Sequence, residues 1–117
     1  HARELSARGR GFDRTPLLIF DEVDSGVGGE VARAVGERLA ALAKGRQVLC
    51  VTHLPQVACF AQTHFHVTKD IAAGRTRVRV DRLDGDRRLE TVASMLGGRG
   101  VTIASRKHAQ ELLETSI

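Results

Sequence analysis

Short apolar runs and helix-like apolar stripes alternate along the first half of the chain. Residues 17–20 (LLIF) and 48–51 (VLCV) are continuous apolar runs, typical of strands buried on both faces. Between them, four apolar residues recur at helical spacing: Val31, Val35, Leu39 and Leu42. Gly45 then stands where a helix would end. Strand, helix and strand in this order predict a βαβ unit, in which the two strands are parallel.

The second half predicts a short helix, a β-hairpin and two further helices. Pro55 is positioned to begin the short helix. Apolar and polar residues alternate over 65–68 and 77–81, on either side of a turn at 72–74, so the hairpin should have one apolar and one polar face. Two helical stripes follow: Leu89, Val92, Ala93 and Leu96, then Ile103, Ala109, Leu112 and Leu113.

Residues 1–15 differ from the rest because they contain four arginines and two glycines and no apolar period appears. They predict a flexible basic arm, and residues 16–117 predict the folded part. A length of 117 residues suits one domain or part of one. The net charge of +4 permits nucleic-acid binding without establishing it. Four Phe, with no Trp or Tyr, argue against a platform for base stacking.

Composition also bears on the compartment. Two cysteines, Cys50 and Cys59, are too few for a disulfide framework and fit reduced thiols in a cytosol. No apolar run approaches the roughly 18 residues of a membrane span. A cytoplasmic protein without a membrane partner is therefore expected.

The segment 17–29, LLIFDEVDSGVGG, carries the strongest chemical signal. Asp21 and Glu22 stand at the carboxyl end of a predicted buried strand, where ligands bind in open α/β sheets. Four apolar residues before Asp-Glu form the Walker B pattern of nucleotide hydrolases, in which the Asp holds Mg²⁺ and the Glu polarises the attacking water. A strand end whose carboxylates merely cap the next loop or face solvent is the structural alternative.

A histidine follows the second predicted strand. His53 comes directly after Val51-Thr52, and parallel strands deliver their last residues to one edge of a sheet. We therefore expect Glu22 and His53 to converge on one ligand, where an imidazole can donate to a phosphate oxygen or orient a water. A histidine found alone would more often have a structural role. The pairing of His53 with the LLIFDE segment favours a role in ligand binding instead.

Together, LLIFDEVDSGVGG, QVLCVTHLPQVA and the later MLGG resemble the C-terminal part of the RecN family of DNA repair proteins, an SMC-like branch of the ABC ATPases. The resemblance covers roughly residues 15–117. It implies that Asp21 is the Walker B aspartate, Glu22 the catalytic base and His53 the switch histidine. By the same resemblance Asp24, Ser25 and Gly26 belong to the D-loop, which reaches across a dimer of heads.

The fold implied is α/β: the C-terminal half of a P-loop NTPase head of the ABC/SMC type, with parallel strands, flanking helices and a hairpin. The implied cofactors are ATP and Mg²⁺. The implied partners are DNA ends or double-strand breaks, a second head in a homodimer and the N-terminal half of the head. A bacterial cytoplasm, in association with the nucleoid, is the implied location.

The sequence also departs from the family pattern. Neither a GxxxxGK[ST] phosphate loop nor an ABC signature occurs in these 117 residues, so the chain alone is not expected to hydrolyse ATP. Two alternatives remain open at this point. Residues 21–24 (DEVD) also match the DExD form of helicase motors, and the chain could instead be a non-catalytic dimerisation or DNA-binding fragment.

Overall fold

A computed structural model describes residues 2–5, 17–21, 28–98 and 100–116. Within these residues the chain is mixed α/β, as the sequence predicts. The strands are β1 (Ala2–Leu5), β2 (Leu17–Asp21), β3 (Gln47–Val51), β4 (His64–Ala72) and β5 (Arg75–Leu83). The helices are α1 (Gly29–Leu42), α2 (Pro55–Ala58), α3 (Gly85–Gly97) and α4 (Ile103–Thr115).

The predicted βαβ unit is confirmed. β2 and β3 are parallel neighbours in a three-stranded sheet of order β1-β2-β3, and α1 lies between them in the chain. Their register pairs Leu18 with Val48 and Asp21 with Val51. The two strands therefore end level with each other at the same edge of the sheet.

The predicted flexible arm needs a correction at residues 2–5. They form β1, which pairs antiparallel with β2 and places Ala2 opposite Phe20. This pairing uses backbone N–H and C=O groups, which any sequence carries, so an arm without an apolar stripe can still complete a sheet. Residue 1 and residues 6–15 of the predicted arm lie outside the described part of the chain.

Helix α1 packs on the sheet through a narrow line of small residues and one leucine. Ala32, Gly36 and Leu39 are buried, whereas Val31, a member of the predicted stripe, is 53% exposed. A Cβ added at Gly36 would contact the Phe60 ring and lie 3.1 Å from the Gln56 carbonyl oxygen. Glycine at this position lets α1 approach the segment around α2 closely.

Within the described residues, strand β3 is covered by helix on one face only. Val48 and Cys50 pack against the cluster of Ala32, Leu39 and Val57. Leu49 and Val51, which alternate with them, are 48% and 52% exposed. The prediction of strands buried on both faces is therefore wrong for β3, because in the described residues α1 and α2 supply a single covering layer.

The predicted hairpin is confirmed. β4 and β5 pair antiparallel over nine residues each, with Val67 opposite Val80. Ala73 and Gly74 both have positive φ, 52° and 73°, which suits the two-residue turns that match strand twist. Glycine adopts this backbone conformation without a steric penalty.

Helices α3 and α4 form a second small core. Val92, Ala93 and Ala109 are fully buried. A reciprocal capping box begins α4: the Ser105 N–H donates to Thr102 Oγ1 at 3.0 Å, and the Thr102 N–H donates to Ser105 Oγ at 2.8 Å. These helices confirm the first predicted stripe. The second is corrected at Ile103, which is 90% exposed because it begins α4 outside the packed cluster. Among the described residues, no helix has the length and apolar character needed to cross a membrane.

Candidate functional site at the β2–β3 edge

The candidate site lies where β2 and β3 end. Asp21 is the last residue of β2 and pairs in register with Val51, the last residue of β3. His53 follows Val51 by two residues, so both strand ends lead polar groups to one edge of the sheet. The sequence predicted this juxtaposition from parallel topology.

Four of the predicted site residues lie outside the described part of the chain. They are Glu22, Asp24, Ser25 and Gly26. The structure describes both ends of the segment that carries them: β2 precedes it, and Gly28 follows it as the N-cap residue of α1. The convergence of Glu22 with His53, and the D-loop role of residues 24–26, stay predictions.

The Asp21 side chain is exposed at the sheet edge. A carboxylate oxygen is the hard ligand that Mg²⁺ prefers, and Mg²⁺ is commonly bound by one or two carboxylates together with substrate phosphates and waters. The described residues contain no group of three or more His, Cys, Asp or Glu that would enclose a metal ion by itself. This donor set fits a cation that a phosphate ligand helps to hold.

His53 is exposed in a short loop whose two flanks are fixed. Before it, the Thr52 side chain accepts a hydrogen bond from the Leu54 N–H at 3.0 Å, forming a tight turn around His53. After it, Pro55 begins α2, and both Pro55 and Val57 are buried. The imidazole is thus exposed on a loop anchored in the core.

The start of α2 also lies beside the start of α1. A Cβ added at Gly29 would lie 3.8 Å from the Gln56 side-chain nitrogen. The Ala32 N–H donates to the Gly28 carbonyl at 2.9 Å, which sets the first turn of α1. The segment after His53 and the first residue of α1 are therefore brought together by the packing of α1 on α2.

A polar contact that the sequence did not predict links α2 to α3. The Arg88 guanidinium donates to the Ala61 carbonyl at 2.7 Å and to the Ala58 and Cys59 carbonyls at 3.4 Å. Arg88 thus binds carbonyls at the end of α2 and just after it, of which the Ala58 carbonyl also accepts a hydrogen bond from the Ala61 N–H at 3.1 Å. Burial lowers the pKa of Arg88, with the Cys59 thiol acting in the opposite direction.

His64 lies at the base of the hairpin, close to Arg88. Burial lowers the pKa of His64 from its ordinary value of 6.5, and the Arg88 guanidinium and the His66 ring lower it further. The His64 Nδ1 and Arg88 Nε atoms are buried without a hydrogen-bond partner. We assign this pair a structural role at the junction of α2, β4 and α3, because Arg88 binds the carbonyls around the end of α2 and His64 lies beside Arg88.

Comparison with known proteins identifies the relatives of this chain. It is 52% identical over 99 residues to DNA repair protein RecN of Deinococcus radiodurans, and the alignment covers 85% of this chain and 17% of the relative. It is 45% identical over 97 residues to DNA repair protein RecN of Bacillus subtilis, covering 83% of this chain and 17% of the relative. It is 47% identical over 106 residues to DNA repair protein RecN of Streptomyces coelicolor, and that alignment covers 91% of this chain and 18% of the relative. No protein-family model matches the chain.

These matches relate the chain to one family. They consistently name RecN, and they align with the C-terminal region of those proteins, as the motifs in segments 17–29 and 47–58 predicted. The chain is thus related to the RecN family of DNA repair proteins. It spans about 17% of the length of the curated relatives it matches. The helicase-type alternative finds no support among these matches.

Proposed function

We propose that this chain is the C-terminal part of an ATPase head of the ABC/SMC type, acting in DNA double-strand-break repair and recombination. The observation that carries the proposal is the parallel register of β2 and β3, which ends both strands at one edge beside Asp21 and His53. The similarity to DNA repair proteins named RecN supports the biological role.

In this proposal each site residue has one task, taken from the resemblance to the family. Asp21 would hold Mg²⁺ through its carboxylate, directly or through water. Glu22 would accept a hydrogen bond from the attacking water and polarise it, and His53 would donate to the γ-phosphate. Asp24, Ser25 and Gly26 would contact the nucleotide site of a second head.

This arrangement suits phosphoryl transfer, in which positioning and charge stabilisation provide most of the catalysis. When bound, Mg²⁺ supplies positive charge that offsets the phosphate oxygens. The chain's own contribution is to place a carboxylate at the end of β2 and an imidazole in the loop that follows β3, two strands that pair in parallel register.

The proposed activity belongs to a complete head rather than to these 117 residues. The sequence contains no phosphate-binding GxxxxGK[ST] loop, so the N-terminal half of the head would have to supply it. We propose a homodimer of heads as the active assembly, DNA ends as the partner, and the bacterial cytoplasm at the nucleoid as its location.

The test is ATP hydrolysis by a full-length RecN-type protein that carries this segment. Glu22→Gln keeps the size of the side chain and removes its charge, so the turnover rate should fall by about 10²–10⁴-fold while ATP binding persists. Glu111→Gln makes the same change on the exposed surface of α4 and should leave turnover unchanged. Wild-type turnover by the Glu22→Gln variant would contradict the assignment of this strand end.

A further inference from the structure

The loop that carries His53 leads directly into a very short helix. α2 contains only four residues, Pro55–Ala58, and His53 stands two residues before it. A single helical turn is the costly nucleus of a helix and has little stability of its own. The placement of His53 therefore depends on the contacts that hold α2 from outside.

The beginning of α2 is bonded to the residues on either side of His53. The Leu54 N–H donates to Thr52 Oγ1 at 3.0 Å, and the Leu54 carbonyl accepts hydrogen bonds from the Val57 and Ala58 N–H groups at 3.1 and 3.0 Å. These bonds close the single turn of α2. A shift of Ala58 at the end of the turn would therefore move Leu54, which follows His53 in the chain.

Arg88 holds the other end of this turn from α3. Its Nη2 atom donates to the Ala61 carbonyl at 2.7 Å and to the Ala58 and Cys59 carbonyls at 3.4 Å. Ala58 is thus bonded to Arg88 through its carbonyl and to Leu54 through its N–H. Two successive hydrogen bonds connect the Arg88 guanidinium with the residue after His53.

The surroundings of Arg88 fit a cation that is dedicated to these carbonyls. The guanidinium is half-buried, and within the described residues no carboxylate forms an ion pair with it. Burying a charged group is costly unless hydrogen bonds compensate for the lost water. The next residue, Leu89, packs against the core shared by α3 and α4, so Arg88 extends from an anchored helix.

Hydrophobic burial alone would leave α2 free to tilt. Val57 packs with Ala32 and Leu39, but the hydrophobic effect has no directional preference, whereas hydrogen bonds weaken steeply when their geometry is lost. We propose that Arg88 is a positioning residue for His53: through the carbonyls at the end of α2, it fixes the direction in which the loop presents the imidazole to a nucleotide phosphate. This inference rests on the role of His53 in the proposed ATPase site.

The test is steady-state ATP hydrolysis by a full-length RecN-type protein that carries this segment. Arg88→Met keeps an apolar stem and removes the donors. The kcat should fall about tenfold while the KM for ATP changes by no more than about twofold, because the imidazole loses its position for the chemical step. Arg87→Met makes the same change at an exposed neighbouring position and should leave kcat unchanged. An unchanged kcat for Arg88→Met would overturn the proposal.

A rescue variant and a double-mutant cycle separate positioning from a general loss of folded protein. Arg88→Lys keeps a cationic donor and should recover part of the lost kcat, and no recovery would contradict the proposal. In a His53→Gln background, Arg88→Met should cause no further loss, because Arg88 acts through His53. The same fold-loss in both backgrounds would show that Arg88 acts independently of His53 and would also overturn the proposal.

The His53→Gln variant alone shows which of the two proposals fails. If it hydrolyses ATP at the unsubstituted rate, the role of His53 in the proposed ATPase site is wrong, and the inference about Arg88 is wrong with it. If His53→Gln slows hydrolysis and Arg88→Met adds its full loss, the site assignment stands and only the positioning role of Arg88 fails.

Discussion

The β2–β3 sheet and the β4–β5 hairpin both expose apolar side chains, including Leu49 and Val51 on the sheet, but they differ in the groups that follow the ends of their strands. At the sheet edge the exposed groups are polar side chains at the ends of strands, Asp21 and His53, held by a packed layer of α1 and α2. Along the hairpin the exposed groups are apolar side chains in mid-strand. The first pattern suits a small charged ligand, and the second suits a protein surface.

The packing that holds the sheet edge depends most on Gly36. Gly36→Val would force a branched side chain against the Phe60 ring and the Gln56 carbonyl, and the backbone carbonyl has little freedom to move. We expect destabilisation at the upper end of the roughly 1–3 kcal/mol typical of overpacking. Denaturant unfolding would measure it. Ala34→Val, on the exposed side of α1, is the matched control and should have a much smaller effect.

Arg88 joins α3 to the segment at the end of α2, which leads from the sheet to the hairpin. Arg88→Ala would remove the donor to the Ala61 carbonyl, at a cost of about 1–2 kcal/mol. Arg87→Ala removes the same side chain from an exposed position next to it. In urea unfolding, the Arg88→Ala variant should have a clearly lower midpoint than the Arg87→Ala variant. Equal midpoints would show that the Arg88 contact contributes no stability.

The smallest predicted effect is a pH dependence at the base of the hairpin. The folded protein holds the pKa of His64 below 6.5, because protonation would place a cation in a half-buried site beside Arg88. Below pH 6.5 the unfolded chain therefore binds a proton that the folded chain resists, so stability falls as the pH is lowered. Above pH 6.5 this contribution is constant.

Unfolding between pH 5 and pH 8 would test this point. His64→Gln should flatten the acid side of the stability profile, whereas His108→Gln, at an exposed position on α4, should leave it unchanged. Identical profiles for the His64→Gln variant and the unsubstituted protein would rule out His64 as the source.

The fold was predictable where its signals are local. Apolar runs and helical periods are properties of neighbouring residues, and they correctly predicted β2, α1, β3 and the hairpin. β1 was not predicted, because it joins the sheet through backbone hydrogen bonds, which leave no pattern in the sequence of side chains. The exposure of Leu49 was not predicted either, because an apolar run does not reveal whether a second layer covers the strand.

The candidate site was predictable in part for the same reason. Parallel topology brings the ends of β2 and β3 to one edge, and this followed from the order of elements in the sequence, whereas the convergence of Glu22 with His53 stays a prediction. The Arg88 contact joins residues 27 positions apart and has no sequence motif. The Thr52 turn had a weak local signal, a Thr two residues before the Leu-Pro that begins α2.

The central claim, that β2 ends in an ATPase site shared by two heads, is tested most directly by the size of the ATP-bound protein. Light scattering with ATP and Mg²⁺ would be applied to full-length Glu22→Gln and Asp21→Asn variants. Glu22→Gln should accumulate as an ATP-dependent dimer, because nucleotide still binds while hydrolysis is slowed. Asp21→Asn should stay largely monomeric, because it weakens the Mg²⁺ site. An ATP-dependent dimer of equal abundance in both variants, or in neither, would contradict the proposed roles of these two carboxylates.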